Sequence, residues 1–465
     1  MPSLSQWLWL VLLLVLLTQP WRTMIVASDG DAVMHWRIGD WMLEHRQIIR
    51  HDSFSYTRAG SPVISKEWLA ELLFAAAGRT GGLFGLCILA ALVIATTFAL
   101  LHWRLLRDGN DLLIATTLTL MAAWAASMHW MARPHVFSFL MLLLWHDQVR
   151  RVEHGAKPWL LATIMALWVN LHGGFLAGFF VLGAYWLGAV RDTLKLRRLT
   201  IAALLCAAAV LLNPNGWKLP WHNVQFLRSE FLTNWLAEYN SPDFQSRDAV
   251  GFLVWLAMLF VTLAWRQPRL TTAESLIVVS WTAFAFYSRR NIPLMVILTA
   301  PIIAPALSAA VGEHWRALSA RLGRDKQGWP VVAVLALAGI VCLAQPLELP
   351  RTRWPVAAVQ HIREHSSEFG ARMFNDYVWG GYLLKALPER RVFVDGRTDF
   401  YGEALIRDYA AITELTTNWL GTLERYNVSW TLLPHRSRLN QALAALQNWR
   451  CVYTDEVATI YRRLP

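Results

Sequence analysis

The chain has 465 residues, 55% of them hydrophobic and 16% charged, with a mean hydropathy of +0.34 and a formal net charge of +11. Soluble domains carry roughly 25% charged residues, and the deficit here falls in uncharged stretches near the ~20 residues that cross a bilayer as a helix; an ordinary soluble protein is excluded. The basic balance comes with no basic helix, aromatic RNA-binding motif or finger spacing, which excludes nucleic acid and leaves membrane lipid as the partner of the Lys and Arg.

The first apolar run, WLWLVLLLVLL from Trp7 to Leu17, lacks a basic region before it and has only a weak small-residue site after it, so it reads as a retained first span rather than a cleaved signal. Further spans are expected near 82–103, 111–128, 135–149, 158–170, 174–190, 199–212, 249–265, 272–287, 292–310 and 328–345, about 11 transmembrane helices with the first at 6–26. Clusters of cations fall in alternate loops: Arg104 and Arg107; Arg150, Arg151 and Lys157; Arg191, Lys195, Arg197 and Arg198; Arg266 and Arg269; Arg316, Arg321, Arg324 and Lys326. The positive-inside rule makes those loops cytoplasmic, with the N-terminus inside. The external segments are then 27–81, 129–134, 171–173, 213–248, 288–291 and the tail.

Within the large first loop (27–81), KEWLAELLFAAA from Lys66 to Ala77 sets apolar residues at helical spacing against Glu67 and Glu71. It reads equally as a helix lying in the interface and as the start of the second span. From Leu349 the composition changes. Strands are predicted at ARMFN, RRVFVD, VSWTLLP, RCVYT and VATIYRR, with helices at PVAAVQHIREH, GEALIRDYAAITEL and SRLNQALAALQNW between them, the pattern of a small α/β domain. The expected organisation is a transmembrane domain over 1–348 and a C-terminal extracytoplasmic α/β domain over 349–465. The four cysteines are scattered and suggest no disulfide framework.

Most of the unusual polar residues fall on the external side. The first loop opens ASDGDAVMHWRIGDW, with Asp29, Asp31 and His35, followed by Glu67; MARPH carries Arg133 and His135, VNLHGG carries His172, and SRRN carries Arg289 and Arg290. Polar groups at the ends of apolar spans are costly and tend to line a cavity. Arg133, Arg289 and Arg290 stand where cations are rare, and a phosphate or pyrophosphate would explain them through charge-assisted, often bidentate hydrogen bonds. Snorkelling, or pairing with Asp29, Asp31 or Glu238, is the plainer alternative. An Asp-x-Asp pair can hold a divalent cation or supply a general base; Asp31 also suits a helix cap. His172 and LNPNGW read first as helix stops. No Walker loop, nucleophile elbow or dinucleotide fingerprint occurs, which argues against a nucleotide-driven pump or a serine hydrolase.

These motifs resemble the GT-C superfamily of integral membrane glycosyltransferases, and within it bacterial multispan proteins whose first loop looks like D-x-D-x-x-x-H…G-x-W…DPFS…EWL. Here the corresponding stretches are DGDAVMH, GDW, HDSFSYT and KEWL, with Ser53 where the pattern often has proline; ARPH, NLHGGF, LNPNGW and NDYVWGGYLL…VFVDGRTDFYG are similar too. The resemblance implies a GT-C-like fold and transfer of a sugar from a polyprenyl-phosphate donor to a glycan, lipid or protein acceptor on the extracytoplasmic face of a bacterial inner membrane. It implies Asp29 or Asp31 as base, the other as ligand to a metal (Mg or Mn) or to the acceptor, and Arg133 and Arg290 on the lipid phosphate. GRTDFYG is expected to serve the fold. The competing readings are an O-antigen polymerase or ligase, which needs external Arg and His but no acidic first loop, and a non-catalytic lipid transporter or scaffold.

Overall fold

The computed structural model describes residues 2–312 and 328–464; the predicted loop cations Arg316, Arg321, Arg324 and Lys326 lie outside them. The chain is largely helical, with one four-stranded sheet near its C-terminus. It divides into two compact units. One comprises 1–22, 87–220 and 236–345, the other 23–86, 221–235 and 346–465. The tail segment thus shares its unit with most of the first loop and with fifteen residues of the loop 213–248.

In the first unit, local sequence sets where helices begin. Ser3 and Gln6 form a capping box before Leu4–Leu16, and Thr271 and Glu274 form another before Thr272–Tyr287. Asp111 caps Leu112–Ala126 and Asp192 caps Thr193–Ala209. Each such side chain satisfies backbone N–H groups that the first helical turn leaves unpaired. The core is tightly packed around tryptophan: Trp145, Trp168 and Trp255 are fully buried, and Trp145 donates to the carbonyl of Gly178 at 2.8 Å.

Four helices among the described residues are long and apolar enough to cross a membrane: Trp68–Arg107, Leu112–His129, Arg247–Arg266 and Arg289–Ser308. The bent pair Leu4–Leu16 and Trp21–Ala27 makes a fifth if counted as one span. A helix occupies each of the predicted windows, but four or five among the described residues are long and apolar enough to cross a membrane, so the expected count of about 11 spans is not confirmed. Trp159–Leu171 and Leu176–Gly188 have 13 residues each, ~20 Å at 1.5 Å per residue, against a hydrocarbon core of ~30 Å. His135–Glu153 is longer but carries Asp147, Arg150 and Arg151 inside it. The helical run Trp68–Arg107 breaks at Gly82, whose φ is +59°. The stretch Lys66–Ala77 therefore belongs to a helix that ends before the apolar residues of the second span begin.

Two opposite ends of this unit are defined by ion pairs. Arg104, Arg107, Arg150 and Arg151 pair with Asp108 and Asp147, and Lys195 pairs with Glu153 at 3.2 Å, so three of the predicted cationic loops meet. The helix His135–Glu153 runs from this end to the MARPH motif, 19 residues away, or ~28 Å.

In the second unit, β1 (Met373–Asn375), β2 (Trp430–Pro434), β3 (Trp449–Thr454) and β4 (Ala458–Arg463) form a sheet in the order β1-β2-β4-β3. β1 runs parallel to β2, and the other pairs are antiparallel. Helices Val356–Glu364, Thr398–Thr413 and Arg438–Ala444 fall where the sequence predicts them, and Tyr377–Ala386, capped by Asp376, is an addition. RRVFVD does not become a strand. Its buried apolar run makes a single bridge, Val392 to Ser55 of the first loop. The Asn375 amide takes the neighbouring backbone groups, accepting from Phe393 N and donating to the Val394 carbonyl, both at 2.8 Å. A side chain thus does what a neighbouring strand would have done.

Candidate functional site

At the end of the first unit opposite its paired loop cations, four predicted external loops converge on Glu238. Arg133 Nη1 lies 3.0 Å from Glu238 Oε2, and Arg290 Nη1 lies 3.0 Å from Oε1. The same Arg290 nitrogen donates to the Tyr239 hydroxyl at 2.6 Å, and the guanidinium stands 4.9 Å from that ring's centroid. Arg290 Nη2 is 2.9 Å from His172 Nε2. The other ring nitrogen, Nδ1, accepts from the Gly174 N–H at 3.0 Å and lies 2.7 Å from Ser138 Oγ. Burial works to raise the Glu238 pKa, but Arg290 and Arg133 outweigh it and hold the carboxyl well below its usual range.

Arg289 joins through its backbone, its carbonyl accepting from His129 Nε2 at 3.1 Å, while its own Nε is buried without a hydrogen-bond partner among the described residues. His135 Nε2 donates to the His129 carbonyl at 2.7 Å, a structural tie across the MARPH turn. LNPNGW is a helix stop: Asn213 donates to the carbonyls of Val210 and Gly216. The pairing with Glu238 that the sequence left open is therefore present for Arg133 and Arg290. Two guanidiniums thus meet one carboxylate, and the excess positive charge suits an anion.

In the second unit the first loop builds an acidic cluster. Asp29 Oδ1 accepts the N–H of Asp31 at 2.9 Å, so the acid that organises the start of the helix Asp31–His45 is Asp29 rather than Asp31. The DGD turn packs closely on the VWGGYLL helix, Gly30 against Gly381, where neither position has room for a side chain. The partly exposed Asp31 carboxylate lies on Gly396 of GRTDFYG, again with no space for a Cβ. His35, one turn further on, has Nδ1 3.3 Å from Glu71 Oε1 and Nε2 4.0 Å from Glu67 Oε2. Burial would lower its pKa, but the Glu71 hydrogen bond and the charges of Glu67, Glu71 and Asp31 prevail and raise it. Glu67 is itself pushed up by burial, against the pull of Lys66 and His35.

GRTDFYG is tied to distant parts of the unit through two side chains. Arg397 does serve the fold, pairing with Asp52 of HDSFSYT at 2.8 Å and with Asp395 at 2.6 Å. Asp399, by contrast, meets Lys66 at 3.0 Å and His222 at 2.8 Å. Sequence reasoning passed over Lys66, His222 and Asp399; Lys66 stands beside Glu67 in KEWL, but the other two carry no spacing signal. Among the described residues no group of three or more His, Cys, Asp or Glu side chains is placed to hold a metal ion.

No protein-family model matches the chain, and no curated protein sequence does. Solved structures do. One is the archaeal oligosaccharyltransferase AglB from Archaeoglobus fulgidus, in complex with an inhibitory peptide and a dolichol-phosphate. It is 14% identical with a TM-score of 0.64, over 92% of this chain and 69% of that one. Another is ArnT from Cupriavidus metallidurans bound to undecaprenyl phosphate, 14% identical with a TM-score of 0.53, over 98% of this chain and 96% of that one. Both are GT-C membrane glycosyltransferases. The fold of this chain is the GT-C fold. With its apolar helices, that fold makes the chain a membrane protein.

Proposed function

We propose that the chain is a membrane glycosyltransferase that moves a sugar from a polyprenyl-phosphate donor to a hydroxyl acceptor on the extracytoplasmic face of a bacterial inner membrane. The observation that carries the reading is the gathering of Arg133 and Arg290 around a single carboxylate, Glu238, in a fold shared with proteins solved with dolichol-phosphate and undecaprenyl phosphate. The loop cations support a cytoplasmic N-terminus and an external arginine end.

Asp31 is the better base of the pair, since Asp29 spends one carboxylate oxygen on the Asp31 N–H. Asp31 takes the proton from the acceptor hydroxyl, and the oxygen attacks the anomeric carbon. The bond from that carbon to the phosphate oxygen breaks, and the lipid phosphate leaves with the electron pair, its charge held by Arg133 and Arg290. His35 and Glu67 tune the base, and His172 holds Arg290 in place. If the reaction uses a divalent cation such as Mg, which commonly takes one or two carboxylates and completes its shell with water and phosphate, Asp29 and Asp31 would hold it, and it would neutralise phosphate charge.

The test is transfer by the full-length protein in nanodiscs from a panel of undecaprenyl-phosphate sugars. Asp31→Asn should abolish transfer with insertion and thermal unfolding unchanged, and EDTA should abolish it only if the cation takes part. Unchanged transfer by Asp31→Asn would remove the assigned base.

A further inference from the structure

Asp399 lies on the first turn of Thr398–Thr413, with 11% of its side chain exposed, and two residues distant in sequence grip it. Lys66 Nζ approaches Oδ1 and His222 Nε2 approaches Oδ2. Burial opposes ionisation, but the Lys66 charge and the His222 hydrogen bond keep Asp399 a carboxylate. A carboxylate only accepts, so His222 Nε2 carries a hydrogen and donates it. In the neutral ring Nδ1 is then a lone-pair acceptor. No hydrogen bond among the described residues reaches Nδ1, and the side chain is 22% exposed, so a ligand can approach it.

Three features say what kind of ligand. Lys66 and Asp399 cancel in charge, so the lone pair of the neutral ring is matched to an O–H donor rather than to a phosphate. The next residue, Asn223, is buried and its Nδ2 has no hydrogen-bond partner among the described residues. An unpartnered amide donor is thus enclosed one residue along the helix from the His222 acceptor. Finally, Gly396, three residues before Asp399, is the residue on which the Asp31 carboxylate lies.

We infer that His222, oriented by Asp399 and Lys66, binds a hydroxyl of a saccharide acceptor. The inference rests on the transferase reading above and names its acceptor class. His222 is the binding residue; Asp399 and Lys66 are positioning residues.

The full-length protein in nanodiscs is titrated with the methyl glycosides of glucose, mannose and N-acetylglucosamine, followed by saturation-transfer NMR. At least one should bind. Its Kd should rise ~10-fold in His222→Ala and Asp399→Asn, the worth of one hydrogen bond. It should return to within ~3-fold in His222→Gln, whose amide donates to Asp399 and whose carbonyl accepts in place of the ring nitrogen. If His222→Ala does not fold, Asp399→Asn against His222→Gln decides. An unchanged Kd in Asp399→Asn and His222→Ala overturns the inference, as does binding of a serine peptide but no glycoside, or of neither. Wild-type transfer rates in His222→Ala sink this inference alone. Glycoside binding that depends on His222, in a protein that transfers no sugar, supports this site and sinks the transferase reading alone.

Discussion

Gly396→Ala separates the position of Asp31 from its chemistry. A Cβ at 396 would stand 2.0 Å from Asp31 Oδ1 and 2.9 Å from its Cγ, whereas ordinary contacts begin near 3.4 Å. The backbone at 396 has a negative φ, so alanine costs nothing there in local conformation. What must yield is the far end of a short side chain, which has to retreat by about 1.4 Å or turn to another rotamer at about 0.5–1.5 kcal/mol. A stability loss of roughly 1 kcal/mol is expected, within the range of most single substitutions. Catalysis is less forgiving: a 1 Å misplacement of a reacting group costs about 100-fold, or about 2.7 kcal/mol in activation free energy. The assay is kcat/KM for transfer beside thermal unfolding of the same nanodisc sample. A kcat/KM within ~3-fold of wild type would refute the reasoning, because Asp31 would then have moved without consequence.

Three further outcomes follow from the ion pairs. Arg290→Lys should weaken the affinity for undecaprenyl phosphate by ~10- to 100-fold, because a lysine cannot reproduce bonds to Glu238, Tyr239 and His172 together with a phosphate; lipid binding measured by native mass spectrometry checks it. Arg397→Leu should destabilise the second unit by about 3–5 kcal/mol, leaving Asp52 and Asp395 charged, with their side chains fully buried and the guanidinium gone; a normal unfolding midpoint would refute that. The Glu238 pKa is depressed in the folded protein, so its stabilisation is present above the unfolded-state pKa and is lost only as pH falls through the lower folded one. Glu238→Gln should therefore lower Tm at pH 7 and still do so at pH 4, and a difference already gone at pH 4.5 would contradict the depressed pKa.

The sequence was most legible where an apolar run changes abruptly. MARPH, NLHGG and SRRN mark helix ends, and the polar residues of three separate loops do meet, because antiparallel helices bring every second loop to one end. Glu238 was only one of several acids available to the arginines, since nothing in EYN distinguishes it. The count of about 11 spans is not confirmed, because several helices at the predicted windows, such as Trp159–Leu171 with 13 residues, are shorter than a bilayer crossing. RRVFVD was misread for a different reason: a buried apolar run needs backbone partners, and Asn375 supplied them from a side chain. The least legible residues were His222 and Asp399, joined to each other and to Lys66 across 177 and 333 positions. Spacing along a chain carries no trace of a contact made by tertiary folding.

Under the proposed transferase function, Glu238 also bears on turnover. It orders two guanidiniums before any lipid arrives, so the side-chain entropy of fixing them is not lost again on binding. An incoming phosphate meets cations already shared with a resident carboxylate, and association becomes an exchange of anions. The same carboxylate stands ready to reclaim the arginines once the sugar has left. A spent lipid phosphate is thereby released more easily than from a bare cationic trap.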